Sequence, residues 1–328
     1  MENLPVIAST VSAKHIGLFI KEKYGLNSEP QCKLFRTGIN HSYIVTAHNS
    51  QYVFRLYSFN WRSKQEVFEE VRLLTLLKGK GIAVSYPIQD RRGIYVQEVQ
   101  APEGLRYGVL FSYANGGKIR HFSEQTSHTI GALMARLHCV TENLYLERMT
   151  YDAHTLTALP YQYAQDFFPE SSDEMQFVKK AGDVVAQVYA NANQSNLRAG
   201  VVHLDMWYDN MHVDGETGIT IFDFDFCGNG WLLHDIAYYM MQQFHVEPDK
   251  VKYEQKLAAF FAGYESVTAI SEEEKKMLIY SGLSTWIFYL GIQAKRFDTW
   301  SNTFLTENYL KRYIGMAKEW LTYNELEL

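Results

Sequence analysis

The sequence predicts an α+β protein of two lobes, an antiparallel-sheet half followed by a mainly helical half, in 328 residues. Three observations carry this. Short runs rich in β-branched and aromatic residues, separated by turn residues, crowd the chain before residue 113. Beyond that point apolar residues recur at helical spacing in one segment after another. Between the two, Tyr113-Ala-Asn-Gly116-Gly117 interrupts both patterns, which sets the lobes at residues 1–113 and 114–328.

Composition narrows the class. The formal charge of −6 is mild and no basic stripe exists to release counterions, so nucleic acid is not expected as a partner. Cys32, Cys139 and Cys227 are odd in number and far apart, with neither disulfide nor zinc-ligand spacing. That usage fits a reduced, cytoplasmic protein. The first ten residues, MENLPVIAST, lack a basic region before an apolar run, so no signal peptide is expected. The longest apolar stretch, Met277 to Ile292, is shorter than a membrane span and reads as a buried core helix.

In chain order, Ser12 to Tyr24 reads as a helix, its stripe Ile16, Phe19, Ile20 and Tyr24 closed by Gly25. Strands follow at Gln31–Thr37, Ser42–Ala47 and Gln51–Tyr57. The first turn, Gly38-Ile-Asn40-His-Ser42, is the candidate phosphate-covering loop, although it holds one glycine and no GxGxxG. The third strand carries Arg55. A helix over Lys64–Lys78 carries Glu70, with Glu66 and Glu69 as neighbours of the same type. Strands at Gly93–Val99 and Arg106–Tyr113 complete a five-stranded antiparallel sheet. Gly117-Lys118 lacks the leading glycine and trailing Ser/Thr of a P-loop and is rejected as one.

Helices are expected over Ser127–Leu144, Asp173–Asn193, Trp231–Phe244, Lys250–Tyr264, Glu272–Arg296 and Thr303–Tyr323. His138, on the first of them, reads as a satisfied core histidine. Trp286, Tyr289, Gln293 and Arg296 share one face of the fifth.

The chemistry concentrates in Val201–Tyr239. His203-Leu-Asp205 leads to Asn210, which opens an apolar strand; Asp214-Gly215 and Gly218 turn the chain, and the return strand Ile219–Phe222 ends on Asp223. Such a hairpin sets Asn210 and Asp223 at its mouth, near Asp205. Phosphoryl transfer needs a carboxylate to orient and deprotonate a hydroxyl, and hard oxygen ligands for Mg²⁺. An Asp, an Asn and an Asp so placed meet both needs.

The pattern H-x-D-x(4)-N, then an apolar strand and Asp223, with Asp225 behind it and Asp235-Ile-Ala closing the segment, resembles the aminoglycoside phosphotransferase and choline kinase-like family. That family includes type II homoserine kinases and a bacterial stress-response kinase. The resemblance implies a protein kinase-like fold, ATP and Mg²⁺ as cofactors, and a small-molecule hydroxyl acceptor such as an aminoglycoside, amino alcohol or homoserine. It implies Asp205 as the base, Asn210 and Asp223 as metal ligands, and Asp225 as a ligand to a second metal or its water. His203 and Asp235 would support the loop. Gly38, Asn40, Arg55 and Glu70 would serve the nucleotide phosphates, and the backbone of Ser112 and Ala114 the adenine. Trp207, Trp286, Tyr289 and Arg296 would line the acceptor pocket. The chain departs from the family in Arg55 for a lysine, Leu204 for a glycine, and Trp207-Tyr-Asp209 for a His-Pro-Gly spacer. Two other classes stay open: a Ser/Thr protein kinase, and a nucleotide-binding module without catalysis.

Overall fold

The computed structural model describes residues 4–297 and 304–328. The chain forms two compact units, Met1–Ala114 and Asn115–Leu328.

The first unit opens with α1 (Ala13–Tyr24), which Gly25 ends in a left-handed conformation at φ 67°. Five strands follow: β1 (Gln31–Thr37), β2 (His41–Ala47), β3 (Ser50–Leu56), β4 (Val96–Ala101) and β5 (Gly104–Ser112). They form one sheet in the order β1-β2-β3-β5-β4, antiparallel throughout. Between β3 and β4 runs α2 (Lys64–Gly79), started by a capping box in which Ser63 and Glu66 satisfy each other's backbone N–H. Ile16 and Ile20 of α1 pack with Tyr43, Val45, Phe54, Leu56 and Leu110 of the sheet. β4 starts at Val96, three residues later than the sequence suggested, because the Asp90 carboxylate accepts from the N–H groups of Arg92 and Ile94 and holds that stretch as a turn.

The second unit is mainly helical: α3 (Glu124–Thr141), α4 (Leu159–Gln165), α5 (Asp173–Asn191), α6 (Leu233–Val246), α7 (Lys250–Glu265), α8 (Glu272–Lys295) and α9 (Glu307–Tyr323). The expected start of the last helix, Thr303, lies outside the described residues. Met277–Ile292 falls within α8, whose residues here are mostly buried, and among the described residues no helix is long and apolar enough to cross a membrane. Two small antiparallel pairs frame the functional segment. β6 (Ala199–Val202) pairs with β9 (Gly228–Trp231), and β7 (Met211–Asp214) with β8 (Gly218–Ile221). Trp231 therefore lies in a strand and not at the helix start expected of it. Asn210 closes a 3-10 turn, Tyr208–Asn210, just before β7.

Gly117 exchanges both backbone hydrogen bonds with Val213 of β7, at 3.1 and 2.8 Å. Gly116 sits at φ 85°, and a Cβ there would lie 2.3 Å from the Val213 carbonyl oxygen. The glycine pair thus seats the hairpin, a packing role, where a P-loop was rejected.

Candidate active site

β6 delivers the chain to His203, and the backbone bends sharply just beyond it. Leu204 sits in the left-handed region at φ 65°, where a side chain costs about 1–2 kcal/mol. The strain is held by Asp235, near the start of α6. Its two carboxylate oxygens accept from the N–H groups of His203 (2.9 Å) and Leu204 (2.6 Å). The Tyr289 hydroxyl donates to the Leu204 carbonyl at 3.1 Å. His203 is buried; its Nε2 faces the Phe222 carbonyl and its Nδ1 faces the Asp205 N–H, both at 3.1 Å. A neutral ring protonated on Nε2 satisfies both. Burial supplies the reason, lowering the His203 pKa against the raising effect of Asp235.

Asp205 projects from this loop with both oxygens engaged. Oδ1 accepts from the Tyr238 hydroxyl at 2.9 Å, and Oδ2 from the Asn210 amide at 2.7 Å. The same amide also donates to the Asp205 carbonyl. Crowding by protein atoms, then the charge of Asp223, pushes the Asp205 pKa up to about 7, although one edge of the residue stays open to solvent.

Asp223 is set by the hairpin. The Phe222 N–H donates to the Asn210 carbonyl at 3.0 Å, and Asp223 then turns through φ 66°. The structure thus brings Asp205, Asn210 and Asp223 together. The Asn210 nitrogen is spent on Asp205, so its amide oxygen is the atom that would serve as a metal ligand. Asp225 is buried in the 3-10 turn Phe224–Phe226, its carbonyl accepting from Arg148. Among the described residues no three His, Cys, Asp or Glu side chains cluster for a metal. The donors here suit an ion that takes two hard oxygen ligands from protein and the rest from phosphate and water. The repulsion between Asp205 and Asp223 is the charge such an ion would relieve.

In the first unit, Arg55 and Glu70 form a buried pair at 3.0 Å, with Arg55 over the rings of Phe111 and Tyr57. Of the three glutamates considered, Glu69 pairs with Arg72 and Glu66 caps its own helix. The Gly38 N–H donates to the Asn40 carbonyl, and the Asn40 side chain accepts from the Ser58 N–H at 3.1 Å. Ser112 already gives its N–H to Tyr86 and takes the Ser85 hydroxyl on its carbonyl, while Ala114 is buried at the unit's end.

The α8 face divides. Tyr289 reaches the loop. Trp286 donates to the Tyr313 carbonyl at 3.1 Å and stacks on its ring, which makes it a strut between α8 and α9. Arg296 is buried at the end of α8. Trp207, half-buried, stands edge-on to Tyr208. The sequence reading missed Tyr238, since one tyrosine in an apolar helix reads as core. The only hint was its place three residues after Asp235.

A profile described as "Phosphotransferase enzyme family" matches residues 32–270. A homoserine kinase from Methylobacillus glycogenes is 24% identical over 252 residues, covering 76% of this chain and 75% of its own. The solved structure of a microcompartment-associated aminopropanol kinase superposes with a TM-score of 0.75 at 18% identity, covering 95% of this chain and 99% of that one. An amicoumacin kinase, solved in complex with AMP-PNP and Ca²⁺, gives 0.77 at 20% identity and 94% of each chain. These two share the fold, a kinase-like sheet unit with a helical unit. Over most of its length the chain belongs to the phosphotransferase enzyme family.

Proposed function

We propose that the protein transfers the γ-phosphoryl group of ATP, with Mg²⁺, to a hydroxyl of a small molecule in the cytoplasm. The observation that carries this is Asp205, held on both oxygens by Asn210 and Tyr238 beside the charge of Asp223. A binding module needs no carboxylate oriented in this way. Asp205 orients the acceptor hydroxyl and takes its proton as the oxygen attacks. His203, Leu204 and Asp235 hold the backbone from which Asp205 projects. Asn210 and Asp223 would hold Mg²⁺, which neutralises phosphate charge when bound, and Asp225 would support a second ion or its water. Arg55, oriented by Glu70, grips phosphate, and the Gly38–Asn40 turn would cover it, although the Gly38 N–H is engaged by the Asn40 carbonyl. Ala114 would meet adenine through its backbone; Ser112 is a weaker candidate, its N–H and carbonyl being engaged. Tyr289, Trp207 and Arg296 would border the acceptor, whereas Trp286 is committed to Tyr313.

The relatives named as homoserine, aminopropanol and amicoumacin kinases favour a small hydroxyl-bearing acceptor that also carries an amine. The test is ATP consumption against amino alcohols, aminoglycosides, homoserine, sugars and a generic protein substrate. Turnover on a small alcohol that disappears in Asp205→Asn supports the proposal. Turnover on the protein alone replaces it with a protein kinase. Tight Mg·ATP binding with no turnover on any acceptor replaces it with a silent module.

A further inference from the structure

Behind the catalytic loop lies a chain of buried polar groups for which the proposed reaction has no direct use. His138 of α3 is fully buried. Its Nε2 lies 3.1 Å from Asp235 Oδ2, the oxygen that also accepts from the His203 N–H. Its Nδ1 lies 2.7 Å from the hydroxyl of Tyr264 on α7. That hydroxyl lies 3.2 Å from an Arg198 terminal nitrogen, and Arg198 is fixed by Glu274 of α8 at 2.9 and 3.1 Å. Arg198 immediately precedes β6, and His203 immediately follows it. Both ends of that strand are therefore tied into one chain of hydrogen bonds.

The donors can be assigned without conflict. Arginine only donates, so the Tyr264 oxygen accepts from it and gives its own proton to His138 Nδ1. His138 then donates from Nε2 to Asp235. Burial, opposed by the positive charge of Arg198, keeps the tyrosine proton bound, so it remains a donor. Every step polarises the next toward the Asp235 carboxylate. Burial alone would raise the Asp235 pKa; the hydrogen bonds from His138 and the loop N–H groups hold it below the usual carboxylate range.

Sequence makes the contact possible. A Cβ on Gly131 of α3 would lie 2.0 Å from the Phe260 carbonyl oxygen, and one on Gly263 of α7 would lie 1.9 Å from that of His128. Only glycine at both places lets the helices cross closely enough for Tyr264 to reach His138.

We propose that His138, in the tautomer set by Tyr264, is a positioning residue of the phosphotransfer reaction, fixing Asp235 and through it the backbone that presents Asp205. The inference rests on the catalytic role proposed for Asp205, but its anchoring half is tested without turnover. The ¹⁵N spectrum of His138, assigned by loss of its signal in His138→Gln, should show the neutral Nε2–H form. In Tyr264→Phe, the His203 and Leu204 amides should exchange at least tenfold faster relative to α5 amides. At a temperature well below melting, the same variant should lose roughly five- to tenfold in kcat, the worth of one buried hydrogen bond, with KM for ATP unchanged. His138→Gln, which can donate to Asp235 and accept from Tyr264, should retain more activity than His138→Leu. A different protonation form, or loop amides that exchange at the wild-type rate in Tyr264→Phe, overturns the proposal. So does kcat unchanged in a Tyr264→Phe that is merely less stable. Should the wild type phosphorylate nothing, the spectrum and the exchange rates still decide the anchoring, and the kinetic failure falls on the proposed function.

Discussion

Asp205 accepts from Tyr238 and Asn210, so two kinds of substitution there separate chemistry from geometry. Asp205→Asn should keep Mg·ATP affinity by calorimetry and lose ~10²–10⁴ in kcat, because an amide cannot take the proton. Wild-type turnover in that variant would remove Asp205 from the mechanism. Tyr238→Phe removes a bond that orients Asp205 and lowers its pKa, and a fall of roughly ten- to hundredfold in kcat, the worth of one hydrogen bond to a charged group, is expected in steady-state assays. Leu204 sets two effects against each other. Leu204→Gly relieves left-handed strain of about 1–2 kcal/mol. It also deletes a fully buried side chain, a loss of about 2–5 kcal/mol in the comparable truncation to alanine. Burial wins, so chemical denaturation should show a net loss of roughly 1–3 kcal/mol. The site's acidic residues were legible because their chemistry and spacing sit in one stretch. Tyr238 was not, because only the placement of α6 beside the loop brings its hydroxyl to Asp205.

At the level of elements, α6 serves the loop twice in a single turn, Asp235 anchoring its backbone and Tyr238 its carboxylate. The close crossing of α3 and α7 has the strictest spatial requirement. In Gly131→Ala the new methyl meets backbone, which has no rotamer to yield, so the two helices must part. The expected loss is at least about 1–3 kcal/mol, read as a lower melting temperature. Gly315→Ala in α9 is the contrast: nothing lies within 4 Å, so better helix propensity should add about 0.5–1 kcal/mol. Equal melting temperatures in the two variants would show that the α3–α7 crossing tolerates a side chain. Elements with strong periodicity and caps were readable to within a few residues, α5 and α8 among them. β9 was not, because Gly-Asn-Gly-Trp has the composition of a turn and becomes a strand only by pairing with Ala199–Val202. The π-helical turn His154–Ala158 and α4 also escaped, since Pro160 reads as a break although it sits in the first turn of α4, where it is tolerated.

For the molecule as a whole, buried histidines set the response to acid. Burial depresses His234 and His245 from 6.5 to about 4. Both rings are neutral in the folded chain and take protons once it unfolds, so the unfolded state gains between pH 6.5 and 4 at about 1.4 kcal/mol per pKa unit. Asp235, held below its ordinary range, contributes stability above pH 4 that is lost on further acidification. Asp205, raised to about 7, works the other way, because its protonation in the folded chain adds stability as the pH falls from 7 toward 4, but one carboxylate offsets only part of the effect of two histidines. Urea midpoints should therefore still fall from pH 7 to 4.5, and less steeply in His234→Gln. Midpoints independent of pH over that range would contradict this account of the histidines. The two-part architecture was legible because sheet-like and helix-like patterns fall on opposite sides of Gly116-Gly117. The ties that complete the site were not, because they join residues far apart in sequence. That distance has a consequence during synthesis. The loop from His203 to Asn210 leaves the ribosome before Asp235, Tyr264, Glu274 and Tyr289, so a nascent chain carries His203 and Asp205 before these partners exist. A chain stalled before α6 would thus display His203, Asp205, Asn210 and Asp223 without Asp235 and Tyr238, which hold the loop backbone and its carboxylate.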